Sequence, residues 1–493
     1  MIRAFFVLVL ALAGWWATLW LLIAPDLSQW RLPQLVALHA GPPLGAWGIW
    51  VFWRGRRRER AAIAAAEREA AADKERQIKQ EEARQQHAAE RQRLRYGCDC
   101  LMVALAQVPP TGSSPALVPG GDAICVLTLI AESDSSAEST LLDHLRPGVK
   151  EVLGAIYGRC PAATAFPIYV SPPAESIGEE VVTCLREVRA SFVADLGSPV
   201  RSGPEFDTVL FLPSRDSAAD SVIGLFEANP DLPGAVILAF DSPWWRGRML
   251  ESDEWDSADA GKAEQRKWQG LPAQGVFALL VTNPQLPEML AALPRSNGQH
   301  DALTPYWERN PAAAGRVFLS VLSESERDAL LTYPPLARIH RAVSTQFGQH
   351  LPGSMAFARG IEAQIERAQI YAALIDLPFD SSDGSARASE FPPEAASPDC
   401  LWLVHNAGGI DRAGNRLAAL GVALFRRGLE VDPIAAATNV TVAAGDLGQA
   451  RSVAMLAMTV AQAASGEGAA LCAEFFAGSD LSLFFATAPK CAA

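Results

Sequence analysis

The sequence lacks the short motifs that mark several common enzyme classes. Its 493 residues contain no Walker phosphate-binding loop, no Gly-x-Ser-x-Gly elbow and no His-Glu-x-x-His zinc motif. Positive charge is also scarce, because 42 Lys and Arg residues stand against 55 Asp and Glu residues, for a formal net charge of -13. Phosphate groups bind to positive fields, so this acidic balance excludes nucleic acid as a partner.

Cysteine offers little chemistry either. The eight cysteines are dispersed, and the spacing of the one close pair, Cys98 and Cys100, fits neither a zinc knuckle nor a thioredoxin-type motif. The pattern indicates buried or unreactive reduced thiols in a cytoplasmic domain. No acidic spacing matches an EF-hand loop. The sequence therefore predicts no metal, no cofactor and no catalytic residue of a standard kind.

Two apolar stretches stand near the N-terminus, at residues 4–24 and 35–53. Each is long enough to cross a hydrocarbon core of about 30 Å as a helix. Arg3 precedes the first stretch, and five arginines follow the second, namely Arg54, Arg56, Arg57, Arg58 and Arg60. The positive-inside rule then predicts two transmembrane segments in a bacterial inner membrane, with both termini and the globular body in the cytoplasm. A cleaved signal peptide, or a single span with a periplasmic body, is the alternative.

The next stretch is highly charged. Residues 54–95 hold 13 basic and 8 acidic residues, and residues 59–94 contain neither Gly nor Pro. Helix propensity and oppositely charged neighbours predict one long solvated helix, with a partner-binding helix as the alternative. Composition divides the chain into a transmembrane hairpin at 1–54, a charged helical stalk at 55–95, a first α/β half at 96–290, an irregular helical insertion and linker at 291–398, and a second α/β half at 399–493.

Strand and helix patterns alternate in both halves of the body. Residues 233–243 and 274–284 are nearly continuous apolar runs, which are typical of buried strands. In the second half, residues 401–409 read as a strand and a turn, and residues 449–465 as a helix, before a closing hairpin. The pattern predicts an α/β fold with mixed sheets and helices on their faces, in which the architecture of one half is repeated in the other.

The order of these segments resembles the thiolase and ketosynthase plan. The segments that carry the resemblance are PGAVILAFDSP, GVFALLVTNP, LVHNAGGIDRAGNRLAAL and the helix-hairpin segment from residue 437 onward. The resemblance implies a thiolase-like composite of two βαβ-type halves. It also implies acyl transfer through a Cys at a helix start and two His residues in turns.

The residues that this chemistry needs are absent from the expected turns. The helix start reads Leu-Pro-Ser-Arg-Asp-Ser-Ala from residue 212, without Cys, and the turn at residues 438–445 has no His. The other turn places His405 before Asn406 instead of after an Ala. Ser214, His405 and Asn406 are therefore candidates for a vestigial pocket. His405 near Asp411 is alternatively the capped start of a helix.

The combination of anchor, stalk and catalytically depleted body is similar to type VI secretion accessory proteins, the adaptors that bring a lipase effector to the spike. That resemblance implies a non-enzymatic protein that binds a secreted effector or a spike component, with a homodimer as a further possibility. The candidate partner contacts are aromatic or basic, and core packing is the alternative for each. They are Trp244, Trp245, Arg246, Trp255 and Trp268.

Two other functions stay open. One is a thiolase-like acyl-transfer enzyme with a replaced nucleophile, for which Ser214 and His405 are the candidates. The other is a sensor that binds a small ligand in the vestigial acyl pocket.

Overall fold

The computed structural model describes residues 2–22, 31–108, 121–128, 140–174, 176–195, 208–250, 270–292, 318–319, 321–347, 354–378, 401–476 and 480–489. The chain divides into two compact units, residues 1–89 and residues 90–493. Each unit is described by itself below.

The first unit consists of two helices. Helix α1 is Ile2–Leu22, and helix α2, Leu32–Leu94, continues from the second apolar stretch through the charged segment with Pro42 and Pro43 inside it. The indole N–H of Trp15 in α1 donates a hydrogen bond to the carbonyl oxygen of Leu38 at 2.8 Å. Among the described residues, one helix, Pro33–Leu94, is long and apolar enough to cross a membrane by length and composition. The structure thus contains one candidate span near the N-terminus.

The second unit is built on one mixed sheet of 12 strands. The strands of its first part are β1 Cys98–Val108, β2 Ile124–Thr128, β3 Ile168–Ser171, β4 Val209–Phe211, β5 Gly234–Asp241 and β6 Gln274–Thr282. Those of its second part are β7 Ala337–Ile339, β8 Val343–Thr345, β9 Leu401–His405, β10 Ala437–Asn439, β11 Ala469–Phe475 and β12 Leu481–Thr487.

Ten helices of the described residues pack against this sheet. They are α3 Leu141–Arg159, α4 Gly178–Asp195, α5 Ala218–Ala228, α6 Pro243–Leu250, α7 Leu286–Ala291, α8 Glu324–Thr332, α9 Ser354–Tyr371, α10 Ile410–Arg426, α11 Val440–Ala443 and α12 Arg451–Ser465. A 3-10 turn, Gly448–Ala450, leads directly into α12.

The sheet repeats one topology. From one outer edge inward the order is β4-β3-β5-β6-β1, and from the other it is β10-β9-β11-β12-β7, with β8 also paired to β12. In each half the last strand in sequence, β6 or β12, runs antiparallel to its neighbours, while the other strands of that half run parallel. The two halves join where β1 pairs with β7. The expected α/β fold with a duplicated architecture is therefore confirmed, and its two halves share a single sheet.

Two helices, α5 and α12, lie in the apolar core that contains side chains from both halves. In α12 every residue from Val453 to Ala461 is buried, which is the behaviour of a helix that is apolar on all sides. Separate apolar clusters pack α3 and α4 against the first half and α9 and α10 against the second. The start of α12 is less buried than its middle, because Arg451 and Ser452 are only half-buried.

Two short strands, β7 and β8, correct the expectation of an irregular helical region from residue 291 to 398. Each has three residues and pairs with β12, so tertiary pairing creates strands that local sequence does not announce. The predicted domain boundaries themselves stay predictions.

Candidate active site at the start of helix α12

The start of α12 packs on the first half of the sheet. Asp446 donates its backbone N–H to the carbonyl oxygen of Leu271 at 2.7 Å, and its own carbonyl oxygen accepts from the N–H of Ala273 at 3.0 Å. Residues 271–273 immediately precede β6, which starts beside the carboxyl end of β5. Ligand sites in α/β folds lie at the carboxyl ends of strands, so this junction is the natural place to look for function.

Asp241, the last residue of β5, holds the junction together. Its fully buried carboxylate accepts four N–H groups: Ser242 N–H at 2.8 Å, Gln449 N–H at 2.7 Å and the Arg246 guanidinium at 2.8 and 3.1 Å. Gly448 has a φ of +55°, and a Cβ there would collide with this carboxylate. A carboxylate at a helix start is favoured by the unpaired N–H groups and the helix dipole. Asp241 is therefore an anchor for α12.

A hydroxyl and a carboxyl group meet in the first turn of α12. Ser452, which is half-buried, donates its hydroxyl to the Glu474 carboxylate on β11 at 2.5 Å. Glu474 is 1% exposed, and burial raises the pKa of its carboxyl above the ordinary value, although Arg451 and the Ser452 hydrogen bond oppose the rise. A serine bonded to a carboxylate of raised basicity is a nucleophile and base pair in geometry.

A positive charge lies beside this pair. The Arg451 Nε atom is 4.0 Å from the same Glu474 oxygen, and 16% of the Arg451 side chain is exposed. Asp446 also lies close enough for Arg451 to act on it, and burial raises the pKa of the Asp446 carboxyl. Arg451 can therefore balance charge on Glu474 and on any anion that forms next to Ser452.

Two residues of the predicted vestigial pocket, His405 and Asn406, are hydrogen-bonded to backbone groups of the protein. The backbone N–H of Ala407 donates to Nδ1 of His405 at 3.3 Å, so the proton is on Nε2, which donates to the Pro433 carbonyl oxygen at 2.7 Å. Burial lowers the pKa of His405 to about 4, and the imidazole is neutral at neutral pH. Asn406 bonds the backbone N–H and carbonyl oxygen of Phe475 at 2.7 and 2.9 Å.

The structure does not join Ser214 to these two residues. Ser214 is exposed, and none of the hydrogen bonds of the described residues links it to His405 or Asn406. The helix start that should carry the nucleophile is instead capped by Ser217, which is buried and accepts the N–H of Asp220 at 3.0 Å. The vestigial pocket stays a prediction, with its histidine committed to the fold.

The candidate partner contacts on α6 are part of a packed cluster. Trp244 and Trp245 are half-buried and stack on His144, with ring centroids 5.9 and 6.5 Å apart. Arg246 is the partner of Asp241, and 20% of its side chain is exposed. Trp255 and Trp268 lie outside the described residues. The role of these residues as partner contacts stays a prediction.

The four buried thiols of the described residues do not supply a replacement nucleophile. Burial raises the pKa values of four buried cysteines, in the case of Cys160 to about 11. The others are Cys98, Cys100 and Cys472. A thiol is nucleophilic as the thiolate, so these four are protonated and unreactive at neutral pH.

Comparisons place this chain beside distant structures of the thiolase plan. Human mitochondrial 3-ketoacyl-CoA thiolase matches at 11% identity and a TM-score of 0.39, over 80% of this chain and 99% of that one. The ketosynthase from module 1 of the bacillaene synthase of Bacillus amyloliquefaciens matches at 11% identity and a TM-score of 0.38, over 80% and 77%. A variant of Xanthomonas campestris OleA matches at 8% identity and a TM-score of 0.39, over 79% and 98%.

No protein-family model matches the sequence, and no curated protein matches it. The similar structures are described as thiolases, ketosynthases and polyketide synthases, which are enzymes. The prediction of a non-enzymatic adaptor for type VI secretion is contradicted by this set and is not retained.

The adaptor prediction depended on the residues at a few turns of the chain. In the turns that correspond to thiolase active-site turns, residues 212–218 lack the expected Cys and residues 438–445 lack the expected His. His405 stands before Asn406 instead of after an Ala. Ser452 and Glu474 lie on a helix start and on a strand, 22 residues apart, and they form no sequence motif. The sequence does contain one signal, an acidic side chain near the end of the apolar run of β11, because acidic residues are rarely fully buried unless they are paired.

Proposed function

We propose that the body is an acyl-transfer enzyme in which Ser452 is the nucleophile and Glu474 the general base. The observation that carries the proposal is the 2.5 Å hydrogen bond from the Ser452 hydroxyl to a fully buried carboxylate. Acyl transfer is also the chemistry of the thiolase-like plan that the sequence resembles. The pair stands in the first turn of a central helix, beside Arg451.

The chemistry follows from the order of the groups. Glu474 takes the hydroxyl proton as the Ser452 oxygen attacks the carbonyl carbon of an activated ester or thioester. The Arg451 guanidinium stabilises the negative oxygen of the tetrahedral intermediate. The bond to the leaving group breaks, the leaving group takes the proton from Glu474, and an acyl-serine remains. A second nucleophile, deprotonated by Glu474, then removes the acyl group by the reverse steps.

Burial suits Glu474 to this role. A general base works best when its pKa lies near the working pH, and burial moves the pKa of Glu474 upward from the ordinary value of a glutamate. The neighbouring anchor, Asp241, binds the same helix start through the backbone N–H of Gln449, three residues before the serine. A site fixed in this way meets the requirement for a pre-organised nucleophile.

Turnover of acyl thioesters by the purified full chain tests the proposal. We expect release of free thiol from medium-chain acyl thioesters, and we expect Ser452→Ala to abolish it. Ser465→Ala is the matched control, because Ser465 lies in the same helix and donates its hydroxyl to the Ala461 carbonyl oxygen at 2.8 Å. Saturable binding of the acyl compound without turnover in the wild type would contradict acyl transfer and would fit a small-ligand sensor.

We also propose that both apolar helices span the membrane and that the body faces the cytoplasm. The proposal is supported by the arginines after the second apolar stretch and by the single Arg and Asp of the loop between the stretches. The test is a fluorescent protein that does not fold after export, fused after Ala493. Because the body is placed in the cytoplasm, we expect this fusion to be fluorescent. Activity of an alkaline phosphatase fusion at the same position would contradict this placement.

A further inference from the structure

The apolar part of α2 ends on a cluster of arginines. Residues 35–53 form about 28 Å of helix, close to the thickness of a hydrocarbon core. Arg54, Arg56, Arg57, Arg58 and Arg60 follow without a break in the helix, and they are called the arginine collar here. If residues 35–53 cross the membrane, the collar lies at the level of the lipid headgroups.

The collar covers slightly more than half of the helix circumference. Successive residues of an α-helix are turned by about 100°, so these five positions span an arc of about 200° within about 9 Å along the axis, and Gly55 and Glu59 lie on the remaining side. Four of the side chains are exposed and Arg54 is half-buried. Glu59 is the one acidic residue in this segment, and no described carboxylate forms an ion pair with any collar arginine. The collar is therefore a concentrated, uncompensated positive charge.

Two of the arginines fold back toward the apolar part. The guanidinium carbon of Arg54 lies 4.9 Å from the ring centroid of Trp50, and that of Arg56 lies 5.1 Å from the ring centroid of Phe52. Stacking on an aromatic face leaves the guanidinium edge and its N–H groups open to an anion. Aromatic residues at this depth are themselves suited to a membrane interface. The arrangement presents planar phosphate-binding groups at the headgroup level.

We propose that the arginine collar binds the phosphate groups of anionic phospholipids. The proposal rests on the membrane placement given above and is independent of acyl transfer. A basic residue near an anionic surface contributes about 1 kcal/mol, which corresponds to about a fivefold preference for an anionic over a neutral lipid. Salt screens this attraction, because the Debye length falls to about 3 Å at 1 M salt.

Lipid selectivity of the full chain in reconstituted vesicles tests the proposal. Spin-labelled phosphatidylglycerol and spin-labelled phosphatidylcholine are compared in phosphatidylcholine vesicles, and the motionally restricted fraction of each gives a relative association constant. We expect about a fivefold preference for phosphatidylglycerol. The preference should fall toward one in Arg56→Gln/Arg57→Gln/Arg58→Gln and should shrink at 1 M salt.

The matched control removes the same charge farther along the same helix. Arg68, Lys74 and Arg84 are exposed, and the nearest of them lies about 15 Å beyond Arg58 along the axis, beyond the Debye length at physiological salt. The variant Arg68→Gln/Lys74→Gln/Arg84→Gln should keep the preference. Equal restriction of both lipids by the wild type, or an equal loss in both variants, would overturn the collar proposal. Absence of any restricted lipid would overturn the membrane placement together with it, and neither result bears on Ser452.

Discussion

Replacement of Glu474 by Gln separates a catalytic from a purely structural carboxyl group. The amide oxygen still accepts the Ser452 hydroxyl, so the shape of the site is kept, but the amide cannot take a proton. Removal of a general base costs about 10² to 10⁴ in rate. We therefore expect Glu474→Gln to lower kcat/KM for acyl thioesters by that factor. The control is Glu362→Gln on α9, which removes the ion pair of Glu362 with Arg426 of α10 at 2.8 Å. This variant should leave the rate unchanged.

The effect of the same change on stability follows from the direction of the pKa shift. Burial raises the pKa of Glu474 in the folded state, so the folded protein binds this proton more tightly than the unfolded chain does. The carboxyl group then favours folding most below its unfolded-state pKa, and this contribution is lost as pH rises through the folded-state pKa. Each unit of the shift is worth about 1.4 kcal/mol. Glu474→Gln should therefore match the wild type near pH 4 and be equally or more stable at pH 8.

The assays are acyl thioester hydrolysis across pH and urea denaturation of the full chain at two pH values. In the wild type the rate should rise with pH along a limb whose midpoint lies above the ordinary pKa of glutamate, and Glu474→Gln should lack that limb. A glutamate with a purely structural role predicts an unchanged rate, whereas the effect on stability follows from the pKa shift in either role. An unchanged rate in Glu474→Gln would refute a catalytic role for Glu474.

Three further predictions concern the framework of the site. Gly448→Ala should lower the free energy of unfolding by about 1 to 3 kcal/mol in urea denaturation, because residue 448 has a φ of +55° and a Cβ there meets the Asp241 carboxylate. The control Gly421→Ala, whose Cβ would lie 3.5 Å from Pro433, should be neutral or stabilising. Equal effects of the two substitutions would contradict strain at residue 448. Asp241→Asn should cost about 3 to 5 kcal/mol, since it removes the charge that pairs with Arg246, and a loss below 1 kcal/mol would mean that the anchor is dispensable. The pKa of buried His405 is lowered to about 4, so its contribution to stability is present above the unfolded-state pKa of about 6.5 and is lost as pH falls toward 4, with about 2 kcal/mol gone at pH 5. A difference in urea midpoint between the wild type and His405→Gln that is the same at pH 8 and pH 5 would rule this out.

The sequence predicted the fold better than the site because the two depend on different information. Continuous apolar runs such as residues 234–241 and 274–282 are long enough to show their burial in the sequence itself, and both are strands with every residue buried. The repeated strand order was visible as a repeated pattern. The strands β7 and β8 have three residues each and exist because β12 offers them a pairing edge.

The site depends on contacts that no local pattern records. Ser452 and Glu474 meet because α12 lies against β11, and Asp241 meets Gln449 across 208 residues of chain. His405 was singled out because it stands in the turn where the resemblance expects a histidine, but burial and two hydrogen bonds commit it to the fold. A homodimer and a protein partner for the tryptophans of α6 stay predictions.

The most direct test of the central claim is the position of the acyl group on the enzyme. The full chain is mixed with an acyl thioester, quenched within the first turnover and digested, and the peptide that contains Ser452 is analysed by mass spectrometry. We predict a mass increase of one acyl group on Ser452, absent in Ser452→Ala and retained in Ser465→Ala. An acyl group on another residue, or the same adduct in Ser452→Ala, would contradict it.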